Sequence, residues 1–106
     1  MQLHHLAIAV RDLDVSEKFY SGVLGLAVLS RQPNKSVWLD LDGAILMLEK
    51  GAGGAGTHVL ALRIAPGDRA AWTQKLKIVK STAYTVYAHD PDGNLIGLSH
   101  YPDPTT

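Results

Sequence analysis

Residues 4–26 read HHLAIAVRDLDVSEKFYSGVLGL, and this stretch decides the fold. His4 to Val10 is an apolar run containing β-branched residues, which predicts a strand. On that strand His5 shares a face with Ala7 and Ala9, while His4 shares the other with Leu6, Ile8 and Val10. The small face suits a cavity wall, and the bulky face suits packing against a helix. Asp14 and Glu17 then show the Asp-x-x-Glu spacing of a capping box. Val15, Phe19 and Val23 recur at helical spacing as one stripe, which Leu24 widens. Gly25 supplies the left-handed conformation that ends a helix. The unit is strand, turn, capped helix, stop, with Asp12 fixing the turn.

Outward from this stretch, Leu26 to Ser30 predicts a second strand, and Pro33-Asn34 sits in the turn after it. Val37, Leu39 and Leu41 alternate with Trp38, Asp40 and Asp42, the period of a strand with unlike faces. Either Trp38 or the leucines line a cavity. Asp42-Gly43 is a hairpin turn, and Ala44 to Glu49 returns from it. GAGGAG, Gly51 to Gly56, lacks both a following helix and a Lys-Ser or Lys-Thr pair, so it reads as a linker and not as a phosphate cradle.

The second half repeats the order. Thr57 to Ile64 is a strand, Pro66-Gly67-Asp68 a turn, and Arg69 to Lys77 a helix carrying Trp72 and Leu76. Ala83 to Ala88 and Asn94 to Tyr101 are strands around the Asp90-Pro91-Asp92-Gly93 turn, and a polar tail follows. The span from Ile78 to Thr82 is too short for a full strand and turn. The expectation is an α+β fold of paired β-α-β-β-β modules, the second abbreviated. Module 1 covers about residues 1–50, the linker 51–56, and module 2 about 57–106, within a single domain.

Composition narrows the function. Ten basic and ten acidic side chains balance among 106 residues, so nothing marks a nucleic-acid partner. Without cysteine there is no disulfide, thiolate nucleophile or thiolate metal site. No apolar run approaches the roughly 20 residues of a bilayer span, and the start lacks an export pattern. A cytoplasmic protein without membrane attachment is the expectation.

Val10-Arg11-Asp12-Leu13, Ser16, Phe19-Tyr20 and Leu24-Gly25, with the closing DPDGNLIGLSH of residues 90–100, resemble two signatures of the vicinal oxygen chelate superfamily. That superfamily includes glyoxalase I, fosfomycin and bleomycin resistance proteins, and extradiol dioxygenases. The resemblance implies half-open sheets around a cavity that holds a divalent metal in the enzymatic members. His5 matches the first-strand histidine, and His58 is the nearest match to the histidine opening the second module. Met47 falls where glyoxalase-like members carry a glutamate, and Gly97 stands where a glutamate follows the Asp-Pro-Asp-Gly turn.

Those two replacements shape the functional expectation. A glyoxalase needs a metal to polarise oxygens and a carboxylate base to move a carbon-bound proton. The resemblance then implies a small-molecule-binding protein, with His5, Trp38, Met47, His58 and Arg63 as candidate ligand contacts and no cofactor. Methionine and aromatic side chains suit a planar organic ligand, and Arg63 adds a fork for carboxylate or phosphate if it points inward. The first alternative is a divergent lyase, transferase or dioxygenase holding one divalent ion (Ni, Mn, Fe or Zn) on His5 and His58, with Glu49 as a further oxygen ligand. The second is an interaction protein with a collapsed cavity. A homodimer is expected, since the short second module leaves sheet edge to cover.

Overall fold

The computed structural model describes residues 3–52 and 59–102. The chain divides into two compact units, Met1–Gly54 and Ala55–Thr106, each built on one four-stranded mixed sheet. Most of the expected linker, residues 53–56, lies outside the described residues, as do Thr57, His58 and the tail from Asp103.

In the first unit β1 (His5–Val10) leads into α1 (Leu13–Glu17), which continues as a π-helical segment, Lys18–Val23. β2 (Val28–Gln32), β3 (Ser36–Asp40) and β4 (Ile45–Lys50) follow, and the sheet order is β1-β4-β3-β2. β1 runs parallel to β4 with His5 opposite Ile45 and Ala7 opposite Met47. β3 runs antiparallel to β4 with Trp38 opposite Met47. Alternation then sorts every side chain. Val10, Val37, Leu39, Leu46 and Leu48 are buried on one face, where α1 packs on β3 and β4. His5, Ala7, Ala9, Trp38, Met47 and Glu49 share the other face.

The helix starts earlier than its spacing suggests. Asp12, not Asp14, is the N-cap, and its Oδ1 accepts from the Val15 N–H at 3.1 Å. Glu17 therefore lies beyond capping reach and pairs instead with Arg31 of β2, Nε to Oε1 at 2.7 Å and Nη2 to Oε2 at 3.0 Å. The stripe also differs. Val15 is 47% exposed, whereas Ser16 and Tyr20 are fully buried. Starting at Leu13 sets Ser16 against the sheet, and the π turn, with the Leu24 N–H reaching Phe19 O at 2.9 Å, keeps Tyr20 buried behind it. Gly25 ends the helix at φ +82°, as expected. Asp42 and Gly43, both at positive φ, make the tight hairpin into β4.

In the second unit β5 (Val59–Arg63) precedes a 3₁₀ turn, Pro66–Asp68, and α2 (Arg69–Lys75). β6 (Lys80–Ser81), β7 (Thr85–His89) and β8 (Leu95–Ser99) complete a sheet of order β5-β8-β7-β6. The abbreviation expected between Ile78 and Thr82 is the two-residue β6. Val86, Ala88, Ile96 and Leu98 form the buried face. Asp90 organises the turn into β8: its Oδ1 accepts from the Asp92 and Asn94 N–H groups at 2.9 and 2.7 Å, and its Oδ2 accepts from Asn94 Nδ2 at 2.8 Å. Among the described residues no helix is long and apolar enough to cross a membrane.

The cap assignment yields a direct comparison. Asp12→Ala will lower unfolding free energy by about 1 kcal/mol, while Asp14→Ala will change it by a few tenths, about 0.3 kcal/mol, in urea denaturation. The ion pair gives a pH signature. The hydrogen bond from Arg31 holds the Glu17 carboxyl below its usual range. Its contribution is therefore present above that range and is lost as pH falls through the lowered value. Glu17→Gln will flatten the acid limb of the stability profile, read as thermal midpoint against pH.

Candidate functional site

The open face of the first sheet is a grid of three rows set by strand register. The row of His5 continues through Ile45 to Asp40. The next holds Ala7, Met47, Trp38 and Ser30, and the third Ala9, Glu49, Ser36 and Gln32. Rows lie about 6.7 Å apart along the strands and neighbours about 4.8 Å apart across them. Ala7 and Ala9 leave room over the sheet, and Met47 and Trp38, both half-buried, form an apolar floor beside them. Trp38, not the leucines, faces this side.

His5 is exposed at the edge of that floor. Its Nδ1 lies 2.9 Å from Nδ1 of His4, with the two rings edge to face. One imidazole donates and the other accepts, so Nε2 of His5 is the nitrogen left for a ligand. The indole N–H of Trp38 is buried and finds no acceptor among the described residues. An orphaned donor of this kind costs about 1–3 kcal/mol. The sequence alone gave no signal for that orphan.

Glu49 is exposed and lies opposite Ala9, four residues beyond Ile45, the partner of His5. That separation is about 13 Å along the sheet, so strand geometry keeps Glu49 and His5 apart. Glu49 instead borders a shallow recess of about 350 Å³ with Gln32, Ser36, Met47 and Lys50. Among the described residues no three His, Asp or Glu side chains come together as a metal-binding group. His58 falls outside those residues.

In the second unit the open face carries Ala61, Arg63, Thr85, Tyr87, Gly97 and Ser99. Gly97 is buried opposite Tyr87, and its missing side chain has been replaced in space. A Cβ built there would meet Thr85 Cγ2 at 3.2 Å, Tyr87 Cε1 at 3.3 Å and Ala61 Cβ at 3.5 Å. The tyrosine ring covers the glycine as a cross-strand partner. A longer side chain at this position has no room without displacing its neighbours. Lys80 in turn places its Nζ 5.2 Å from the Tyr87 ring centre. His89 is exposed, and His100 turns away toward Arg69 of α2, Nη1 to Nε2 at 3.2 Å.

A family model described as the Glyoxalase/Bleomycin resistance protein/Dioxygenase superfamily matches residues 2–98. Among solved structures, a lactoylglutathione lyase from Agrobacterium tumefaciens superposes with a TM-score of 0.81 at 20% identity, over 92% of each chain. The fosfomycin resistance protein FosX from Listeria monocytogenes gives 0.84 at 15% identity, over 95% of this chain and 91% of that one. A glyoxalase/dioxygenase from Nostoc punctiforme gives 0.75 at 26% identity, over 96% and 92%. No curated protein matches the sequence.

The crowding at position 97 is measurable. Gly97→Ala will destabilise the fold by about 1–3 kcal/mol in chemical denaturation. Thr85→Ser, which removes Cγ2 and keeps the hydroxyl, will shrink that penalty in a double-mutant cycle. An equal penalty in both backgrounds would remove Thr85 as the obstacle.

Proposed function

The chain belongs to the Glyoxalase/Bleomycin resistance protein/Dioxygenase superfamily, and on that premise we propose that it is a small-molecule-binding member lacking the full metal site of glyoxalase I. One observation carries this reading. The position where the resemblance expects the second carboxylate is Gly97, and the space for a side chain there is taken by Tyr87 and Thr85. The first expected carboxylate is Met47, whose neighbour across the strands is Trp38. Thioether and indole replace charge, so the face gains area for a flat apolar body. His5 Nε2 supplies a polar contact that orients it. A ligand of this reading is planar, partly aromatic, and carries a hydrogen-bonding group for the imidazole. Two copies pairing along the outer edge of β1 or β5, each paired on one side only among the described residues, complete the proposal.

Trp38 reports on its own occupancy. In a Trp72→Phe background it is the single remaining tryptophan, since the chain has two. Titration with bleomycin and a panel of planar heteroaromatics in the presence of EDTA will give a saturable change in its fluorescence for at least one compound. His5→Ala will weaken that compound about tenfold, the usual effect of losing one hydrogen bond to a bound group. Binding that appears only with added divalent ion would contradict the proposal and favour the metal-dependent alternative on His5 and His58. A panel with no saturable response would contradict it as well.

A further inference from the structure

A recess in the second unit, at the ends of the parallel strands β5 and β8, presents hydrogen-bond donors beside exposed rings. Arg63, Pro66, His100, Tyr101 and Pro102 border a space of about 520 Å³. Arg63 lies opposite Ser99, and Ser99 lies opposite Thr85, so the three stand in one row on the open face. Arg63 is exposed, and among the described residues nothing engages its guanidinium.

The neighbouring polar groups are engaged within the unit. Ser99 Oγ accepts from Thr85 Oγ1 at 3.1 Å and, at a longer 3.4 Å, from the Tyr101 N–H. At His100, Nε2 faces Arg69 Nη1 at 3.2 Å. A guanidinium only donates, so Nε2 accepts and Nδ1 carries the proton. Arg69 itself is held by the carbonyls of Ala83 and Thr82 at 3.0 and 2.8 Å, which fixes the clamp. Among the described residues no carboxylate borders the recess.

Apolar surface adjoins these donors. Tyr101 is 58% exposed and Tyr84 41%, their ring centres 5.0 Å apart and tilted. Two prolines, Pro66 and Pro102, flank the same space. Tyr84 also packs edge to face on His100, ring centres 5.7 Å apart, which leaves Tyr101 the more exposed ring.

We infer that this recess binds a small organic oxyanion, a carboxylate or phosphoryl group carried on a planar body. The oxyanion takes the planar fork of Arg63, which matches two oxygens at once. The body lies against Tyr101. The site is built entirely from the second unit and does not depend on what the first sheet binds.

The test is a titration of isotope-labelled protein followed by amide and side-chain NMR, with benzoate, phenylphosphonate and benzamide as probes. Benzoate, phenylphosphonate or both will give saturable shifts concentrated at residues 63–66 and 99–102, and the tighter of the two identifies the oxyanion. Benzamide, equal in shape to benzoate and neutral, will not saturate. Arg63→Gln, with a spectrum otherwise like the parent's, will weaken the anion about tenfold or more. Added salt will weaken it further by screening the exposed guanidinium. Benzamide binding as well as benzoate would overturn the inference. So would unchanged affinity in Arg63→Gln, or no saturation by either anion up to about 20 mM, where an Arg fork plus a stacked ring should register.

Discussion

The parallel pairing of β1 with β4 is the constraint on which the first unit depends. Setting His5 opposite Ile45 places Leu46 and Leu48 with Val10 under the helix and leaves Met47 with Ala7 on the open side. A slip of one residue would bury Met47 and Glu49 and expose the leucines, losing several fully buried apolar side chains at once. Each such side chain accounts for about 1.5–3 kcal/mol of transfer free energy, so register is strongly held. The helix cap, the hairpin and the Arg31–Glu17 pair then support an arrangement that hydrophobic burial has already selected.

The same alternation explains how much the sequence revealed. Strand periodicity separated His5, Ala7 and Ala9 from Leu6, Ile8 and Val10, and the sheet shows that division. Gly25 and Asp42-Gly43 were legible because positive φ leaves few residue choices. Asp12 was legible as the residue fixing the turn, but Asp14 and Glu17 matched a capping box that the structure does not use. Spacing within one helix does not reveal where its first turn begins, and Arg31, distant in sequence, competes for Glu17. The buried positions Ser16 and Tyr20 were hidden for a related reason, since a π turn breaks the period on which the stripe was drawn. Trp38 was ambiguous because a tryptophan and a leucine fit either face equally well; only pairing with Met47 resolves it.

For the site, the residue types were readable and their juxtaposition was not. Gly97 was visible as a missing carboxylate, yet only the register with Tyr87 shows that a ring and a methyl group fill the space. Glu49 looked available as a substitute because it shares a face with Met47, but the length of the strand separates it from His5. What stands on the first open face is therefore a methionine–indole floor with imidazole at its edge. Family membership sets the fold and leaves the chemistry to these side chains.

The most direct measurement is the metal content of untagged protein by elemental mass spectrometry, in the parent and in His5→Ala, after incubation with nickel, manganese, iron and zinc followed by removal of free ions. The account predicts far less than one equivalent of any metal in the parent and no difference in the variant. A near-stoichiometric divalent ion in the parent that disappears with His5→Ala would contradict it, and would make the chain a metal-binding member whose oxygen ligands lie elsewhere.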